Sequence, residues 1–144
     1  MFKHILLPTD GSKLSEKAIR NSVRVAKALG ARITALHVVP KFHAFKYPME
    51  MLDATRDQAA KAAERGRHYL EFAGKVARAA GVECDGVQTS GDQPYKEIIK
   101  TAQKKGCDVI LMASHGRRGI EGLLLGSETQ KVLTHSTVPV LVYR

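Results

Sequence analysis

Short runs of apolar residues alternate with longer segments of helical periodicity along this chain of 144 residues. Ile5-Leu6-Leu7 forms the first run and ends at Pro8, and the next segment repeats its apolar residues at helical spacing. The pattern predicts strands at residues 3–7, 32–39, 82–89, 108–113 and 138–143, and helices at 12–29, 49–80, 94–105 and 127–133. Apolar strands separated by helices are typical of a parallel sheet covered on both faces. Because such crossovers are right-handed, we expect a doubly wound α/β fold.

Capping residues support the predicted helix boundaries. Ser12 precedes the first helix as an N-cap, and Gly30 ends it. The long second helix contains Gly66 and Gly74. Each glycine costs a helix about 1 kcal/mol relative to alanine, so a kink or a split is an alternative there.

Composition excludes several other classes of protein. Apolar residues make up 44% and charged residues 26% of the chain, as in ordinary globular domains rather than disordered ones. No segment approaches the roughly 18 apolar residues of a membrane span, and the N-terminal run is too short for a signal peptide. Cys84 and Cys107 form no C-x-x-C pair, and we expect both to be reduced and largely buried. These features predict a cytoplasmic protein.

The net charge of +9 raises the question of nucleic-acid binding. The basic residues are spread over the predicted helices, and no recognition motif accompanies them. We therefore expect a solvated surface rather than a nucleic-acid interface. Part of the charge could attract an anionic ligand.

The loop after the fourth predicted strand combines three features of a phosphate site. Its glycines allow backbone N–H groups to approach an anion closely. Gly126-Ser127 begins a helix whose free N–H groups favour negative charge. Arg117 and Arg118 can add charge-assisted contacts. In a doubly wound fold this loop lies at the carboxyl edge of the sheet, where ligands bind.

Asp10 follows the first strand at the same edge and could accept hydrogen bonds from a ribose hydroxyl. The chain has neither a G-x-x-x-x-G-K-[ST] loop nor a G-x-G-x-x-G after its first strand. The common P-loop and dinucleotide motifs are thus absent. Asp10 as a simple turn or helix cap, and the glycines as a flexible surface loop, remain alternatives.

Several segments together resemble the universal stress protein family over essentially the whole chain. They are Ile5-Leu6-Leu7-Pro8-Thr9-Asp10-Gly11-Ser12, Leu36-His37-Val38-Val39, the loop at residues 113–127, and Val138-Pro139-Val140-Leu141-Val142. The nucleotide-binding branch of that family carries the pattern G-x2-G-x9-G-[ST]. Gly116 and Gly126-Ser127 fit the pattern, whereas Ala113 stands where its first glycine would be.

The resemblance implies an ATP site with a role for each matching residue. Pro8, Thr9 and Asp10 would lie against the adenosine, and Val38 would meet the adenine. The ribose and phosphates would be lined by Ala113, Gly116, Gly126, Ser127 and Thr129. Mg²⁺ would arrive with the nucleotide.

The resemblance also implies one nucleotide-binding domain over residues 1–144, a five-stranded parallel sheet in the order 3-2-1-4-5, and a homodimer. Dimerisation would use the last strand, from Val138 to Tyr143, and an apolar edge strand favours such pairing. The predicted function is that of an ATP-binding stress-response protein in which ATP orders the loop at residues 114–126 and alters the surface shown to a protein partner.

Three alternatives stay open, and the nucleic-acid binder discussed above is the last of them. A slow ATPase or self-phosphorylating enzyme would share the same site, but the sequence offers no evident general base. A nucleotide-free dimeric interaction protein is suggested by Ala113. A catalytic pair of Ser114 and His115 is disfavoured because no acid in the sequence is placed to orient the histidine. His37, within a strand, is expected to be hydrogen-bonded near the end of the sheet.

Overall fold

A computed structural model of the chain describes residues 1–117 and 124–144. The strands are β1 (His4–Pro8), β2 (Arg32–Val39), β3 (Cys84–Ser90), β4 (Val109–Ala113) and β5 (Val140–Tyr143). The helices are α1 (Lys13–Leu29), α2 (Leu52–Ala79), α3 (Pro94–Lys105) and α4 (Ser127–His135). Single 3₁₀ turns at Ala44–Lys46 and Met49–Met51 lie between β2 and α2.

The five strands form one parallel sheet in the order β3-β2-β1-β4-β5. β1 has β2 on one side and β4 on the other. The chain therefore adds β2 and β3 in one direction from β1, and β4 and β5 in the opposite direction. The predicted doubly wound sheet and its order are therefore confirmed. Loops that follow β1 and β4 meet at this reversal, which is where open α/β sheets bind ligands.

Alternate residues of β1 build two cores, one on each face of the sheet. Ile5 and Leu7 pack with α1 and α2, while Leu6 packs on the opposite face with α3 and α4. All three side chains are fully buried. This burial on both faces explains why the central strand reads as a continuous apolar run.

Two strands begin two residues later than predicted, for local reasons. β3 begins at Cys84 rather than residue 82, because the N–H of Val82 is used by the carbonyl of Ala77 at the end of α2, at 2.9 Å. β5 begins at Val140, after Pro139, which has no N–H to donate. The long helix is not split at either glycine, since α2 runs without interruption from Leu52 to Ala79.

Both cysteines are free thiols, with Cys107 buried and Cys84 partly buried. Burial raises the pKa of both, that of Cys107 to about 11, so they are poor nucleophiles near neutral pH. Across the described ranges, the helices are too short or too polar to cross a membrane.

Candidate functional site

The candidate site lies where β1 and β4 end side by side. Pro8 is the last residue of β1, and Thr9 continues the ladder by donating its N–H to the carbonyl of Leu36 at 2.8 Å. Ala113 is the last residue of β4. The structure therefore brings together two segments that are a hundred residues apart in the sequence, as the doubly wound fold predicts.

Asp10 ties the turn after β1 to the loop after β4. Its Oδ1 accepts the N–H of Ser12 and its Oδ2 accepts the N–H of Arg117, each at 2.9 Å. Burial alone would raise the pKa of Asp10, but hydrogen bonds from Ser12 and from the Arg117 backbone outweigh it and hold the pKa below its usual value. The carboxylate is therefore anionic near neutral pH, and each of its oxygens can accept a further hydrogen bond.

Among the described residues no side chain caps the N-terminus of α4, in contrast to that of α1. In α1, the Ser12 hydroxyl caps the helix by accepting the N–H of Ser15 at 3.1 Å. In α4 the N-cap is Gly126, which has no side chain to do this. Within residues 1–117 and 124–144, no acceptor is in hydrogen-bond range of the N–H groups of the first turn, Ser127 to Thr129. Such a turn attracts an anion.

Two glycines keep this edge of the sheet open. A Cβ added to Gly116 would overlap the Asp10 carboxylate. A Cβ added to Gly126 would lie 3.1 Å from the His115 Cα, closer than ordinary van der Waals contact. The N–H of Gly126 donates to the carbonyl of Ser114 at 2.7 Å, which fixes the start of α4 beside the end of β4. These positions allow no side chain without movement of the backbone or of Asp10.

Not every predicted site residue has a side chain that is accessible to a ligand. Thr129 is buried, and its hydroxyl donates to the carbonyl of Ala113 at 3.1 Å, so it holds α4 against β4. Val38 is half-buried within β2 and packs against the core on the α3 and α4 side. Ser127 is exposed at the first position of α4. Of these three, Ser127 has the side chain most open to a ligand.

The side chain of Arg117 is exposed and lies over Tyr69 of α2. Its guanidinium carbon is 5.2 Å from the centre of the ring, and a guanidinium N–H donates a hydrogen bond to the Tyr69 hydroxyl. The guanidinium is thus held at the site by an aromatic ring and a hydroxyl oxygen. The prediction for Arg118 concerns a residue outside the described ranges.

Sequence reasoning missed the support that α2 gives to this site. The ring of Tyr69 packs where a Cβ on Gly11 would be, and Gly11 has a φ of +76° that favours glycine. Tyr69 also meets the His37 ring edge-on, with centroids 5.2 Å apart. His37 Nδ1 is hydrogen-bonded to the carbonyl of Thr9 at 2.8 Å, as expected for a histidine near the end of the sheet. Gly66 in α2 makes room for that imidazole.

The Ser114 hydroxyl, at the end of β4, is not accessible to a substrate. Ser114 is fully buried and its hydroxyl is hydrogen-bonded to His115 Nδ1 at 3.1 Å. Among the described residues, no three histidine, cysteine, aspartate or glutamate side chains are grouped so that they could hold a metal ion. The described edge therefore offers N–H donors, one carboxylate and one guanidinium around an open helix start.

These features define a doubly wound α/β protein with an anion-attracting helix start at the switch point of its sheet. The model of the universal stress protein family matches residues 1–144. The chain belongs to the universal stress protein family.

Relatives over the full length agree with this assignment. A universal stress protein of Methanocaldococcus jannaschii, MJ0531, is 33% identical over 144 residues, which cover 100% of this chain and 83% of the relative. The universal stress protein YxiE of Bacillus subtilis is 33% identical over 152 residues, which cover 100% of this chain and 100% of the relative.

Solved structures share the fold. The protein MJ0577 superposes with a TM-score of 0.83 and 30% identity, over 99% of this chain and 95% of that one. A universal stress protein in complex with cAMP gives a TM-score of 0.70 at 22% identity, over 99% of this chain and 97% of that one. A universal stress protein from Archaeoglobus fulgidus in complex with dAMP gives a TM-score of 0.72 at 16% identity, over 100% of this chain and 98% of that one. At these lower identities the last two show a common fold.

Proposed function

We propose that this chain binds ATP at the junction of β1, β4 and α4 and works as a nucleotide-dependent regulator. The observation that carries the proposal is the first turn of α4, whose N–H groups have no acceptor among the described residues. It follows Gly126, which lies against His115 in the loop where Gly116 meets Asp10. A phosphate group satisfies free N–H groups at a helix N-terminus and is favoured by the helix dipole. The positive net charge of +9 favours an anionic ligand as well.

Each proposed contact follows from the chemistry of the described residues. The N–H groups of Ser127 and the next two residues would bind phosphate oxygens, with the Ser127 hydroxyl as a further donor. Asp10 would accept from the ribose hydroxyls while it holds the N–H of Arg117. The Arg117 guanidinium would add positive charge. When bound, Mg²⁺ would screen the phosphate charges and would be carried by the nucleotide itself.

Adenine is the proposed base because the family resemblance and the fold point to it. Structures of this fold exist with cAMP and with dAMP, so the fold can hold an adenine nucleotide. Val38 presents a half-buried apolar surface and backbone groups at the end of β2, beside the turn that contains Asp10. A base on this surface would exchange water for apolar contact.

Homodimerisation through β5 is part of the same proposal. Within the described sheet β5 pairs with β4 alone, so its outer edge presents free backbone groups. The strand Val140–Tyr143 has no charged residue, and Leu141 is 45% exposed. Such an edge favours pairing with a second copy. Sedimentation of wild type and Leu141→Lys tests this, and we expect the charged variant to be monomeric.

The binding experiment comes in two steps. Mass spectrometry identifies any nucleotide released when the purified protein is denatured, and calorimetry then measures Mg-ATP and Mg-GTP binding. Ser127→Glu places a carboxylate at the first position of α4, where it suits the helix but repels phosphate. Gln93→Glu is the matched control, since Gln93 is the exposed N-cap of α3 and the change in charge is the same.

We expect micromolar binding of Mg-ATP that is lost in Ser127→Glu and kept in Gln93→Glu. No released nucleotide and no heat at millimolar Mg-ATP would overturn the proposal and favour a nucleotide-free dimer. A phosphate-release assay on the same samples distinguishes binding from hydrolysis. We expect little release because the sequence offers no evident general base to activate water.

The proposed switch has a separate readout. Trypsin cleaves after exposed arginine residues, and Arg117 lies at the start of the loop that ATP is proposed to order. Mg-ATP is expected to slow cleavage there. Equal cleavage with and without Mg-ATP would rule out ordering of the loop while leaving simple binding intact.

A further inference from the structure

A second surface lies between α3 and α4, away from the proposed nucleotide site. It is an open groove of about 320 Å³. Its lining residues are Tyr95, Lys96, Ile99, Lys100, Gln103 and His135. The groove is on the sheet face covered by α3 and α4, whereas α1 and α2 cover the other face.

Hydrogen bonding holds the two walls of the groove together. The backbone N–H of Tyr95 at the start of α3 donates to Glu128 Oε2 of α4 at 2.8 Å. The rings of Tyr95 and His135 pack across the junction with their centroids 5.3 Å apart. Lys131 of α4 is paired with the other oxygen of Glu128 at 3.2 Å. The groove is therefore a defined surface between packed helices.

The groove carries positive charge that the described residues do not balance. Lys96 and Lys100 are one helical turn apart on α3, and both are exposed. Across residues 1–117 and 124–144, neither lysine has a carboxylate within ion-pair distance. The side chain of Glu97 is turned instead towards Gly91, where an added Cβ would meet it. Glu128 is already engaged with Lys131 and the Tyr95 backbone.

An aromatic side chain accompanies these charges. The ammonium groups of Lys96 and Lys131 lie over the Tyr95 ring at 6.0 Å and 5.6 Å from its centre. The two ammonium groups and the tilted His135 ring compete with a nucleobase for the Tyr95 ring, which favours a protein segment over single-stranded nucleic acid. Ile99 and the ring edges offer apolar surface beside Lys96 and Lys100, which have no carboxylate partner among the described residues. Such a surface complements an acidic segment that carries an apolar or aromatic residue.

We propose that the α3–α4 groove is a docking surface for an acidic peptide segment of a protein partner. The carboxylates of the segment pair with Lys96 and Lys100, and its apolar residue packs beside Tyr95, Ile99 and His135. None of the lining residues of this groove is assigned a contact with the nucleotide, so the two proposals can be tested separately.

The test uses a fluorescein-labelled peptide of glutamates with one central phenylalanine, and fluorescence anisotropy as the readout. The variant Lys96→Glu/Lys100→Glu reverses both groove charges. Its matched control is Lys61→Glu/Lys75→Glu, which makes the same change in net charge at exposed positions of α2, on the other face. Circular dichroism verifies that both variants are folded, as expected for exposed lysines.

We expect the groove variant to bind the peptide at least about tenfold more weakly than wild type and the α2 control to bind within about twofold. A peptide with alanine in place of phenylalanine is expected to bind more weakly to wild type. Equal losses in both variants would show attraction by net charge alone and would overturn the proposal. Binding of an oligothymidylate as tight as that of the peptide, with the same dependence on Lys96 and Lys100, would overturn it in favour of nucleic acid.

Discussion

Oδ2 of Asp10 accepts a hydrogen bond from the backbone N–H of Arg117 at 2.9 Å, although the two residues are 107 positions apart in the chain. This bond joins the turn after β1 to the loop after β4 across the switch point of the sheet. Oδ1 accepts the N–H of Ser12 at the same distance. One carboxylate therefore fixes both sides of the candidate site.

Asp10→Asn is expected to loosen the loop after β4. An asparagine has one acceptor oxygen, so it can serve Ser12 or Arg117 but presents an amide N–H₂ to the other. A lost hydrogen bond of this type costs about 1 kcal/mol or more in the free energy of unfolding. Urea unfolding measures that loss, and trypsin cleavage after Arg117 should become faster.

Asp108→Asn is the matched control for this variant. The Asp108 carboxylate also accepts two backbone N–H groups, those of Lys3 at 2.7 Å and His4 at 3.1 Å, but at the amino edge of the sheet. We expect a similar loss of stability with unchanged cleavage after Arg117. Equal cleavage in Asp10→Asn and wild type would show that Asp10 does not hold the loop.

Gly116→Ala is expected to weaken nucleotide binding by about tenfold or more, because the new methyl group would displace the Asp10 carboxylate from its place at the site. Ala113→Gly is the companion variant, since it restores the first glycine of the family pattern. Removing that methyl group keeps the backbone carbonyl of position 113, which accepts the hydrogen bond from the Thr129 hydroxyl. Nucleotide binding should therefore be at least as tight as in wild type. Calorimetry with Mg-ATP measures both.

The two variants test the contributions of positions 113 and 116 to nucleotide binding separately. If Gly116→Ala binds as wild type does, the space beside Asp10 is not part of the nucleotide site. If Ala113→Gly alone creates binding, the wild-type chain belongs to the branch that does not bind nucleotide.

The order of elements was predictable because the signals for it are local. β2 and α3 have the predicted bounds, Arg32–Val39 and Pro94–Lys105, since each is delimited by glycine or proline. The N-cap role of Ser12 was equally local. Apolar continuity overestimated β3, because Val82 is buried for packing while its N–H closes the end of α2.

The support of the candidate site by α2 was not predictable from sequence. Tyr69 and His37 are brought together by helix-to-sheet packing, and neither has a partner at a spacing that a linear pattern reveals. The one local signal was Gly66, which costs an isolated helix stability. It was interpreted as a potential break, whereas the structure uses it as the gap that admits the His37 ring.

The two glycines of α2 are therefore expected to respond to alanine in opposite ways. At Gly66 a methyl group would overlap His37 and crowd Gln88, so Gly66→Ala should lower the free energy of unfolding by about 1–3 kcal/mol. At Gly74 it would meet only the end of the Arg78 side chain, at 3.2 Å, which can move. Gly74→Ala should raise the free energy of unfolding by up to about 1 kcal/mol through helix propensity.

Urea unfolding of the two variants and wild type measures this difference. Because both substitutions are in the same helix, unfolded-state effects are similar and the sign of the difference reports local packing. Stabilisation by Gly66→Ala would show that His37 is not held in the gap.

His4 is expected to make stability depend on pH. The side chain is 4% exposed, and its Nε2 is 2.8 Å from the Thr34 hydroxyl oxygen. Thr34 donates its own hydrogen to Asp85 at 2.7 Å, so Nε2 carries the proton and donates to Thr34. Among the described residues Nδ1 has no hydrogen-bond partner. Protonation would add a buried charge and a second N–H, for which the Lys105 backbone compensates only in part.

Burial lowers the pKa of His4, and Arg32 adds to the effect, while Asp85, Asp108 and the Lys105 backbone oppose it. The folded protein therefore holds this proton less tightly than the unfolded chain, whose histidine has a pKa near 6.5. The contribution to stability is present above that value and is lost as pH falls through the lowered pKa of the folded state. The limiting slope for one proton is about 1.4 kcal/mol per pH unit.

His4→Gln tests this dependence, because the Gln amide can still donate to Thr34 but does not titrate. Urea unfolding at several values between about pH 5 and pH 8 should give a smaller loss on acidification than in wild type. His68→Gln is the control, since His68 is exposed beside Glu71 and should leave the slope unchanged. If wild type and His4→Gln lose stability in parallel, the pH dependence arises elsewhere and His4 is not the buried group that acid disrupts.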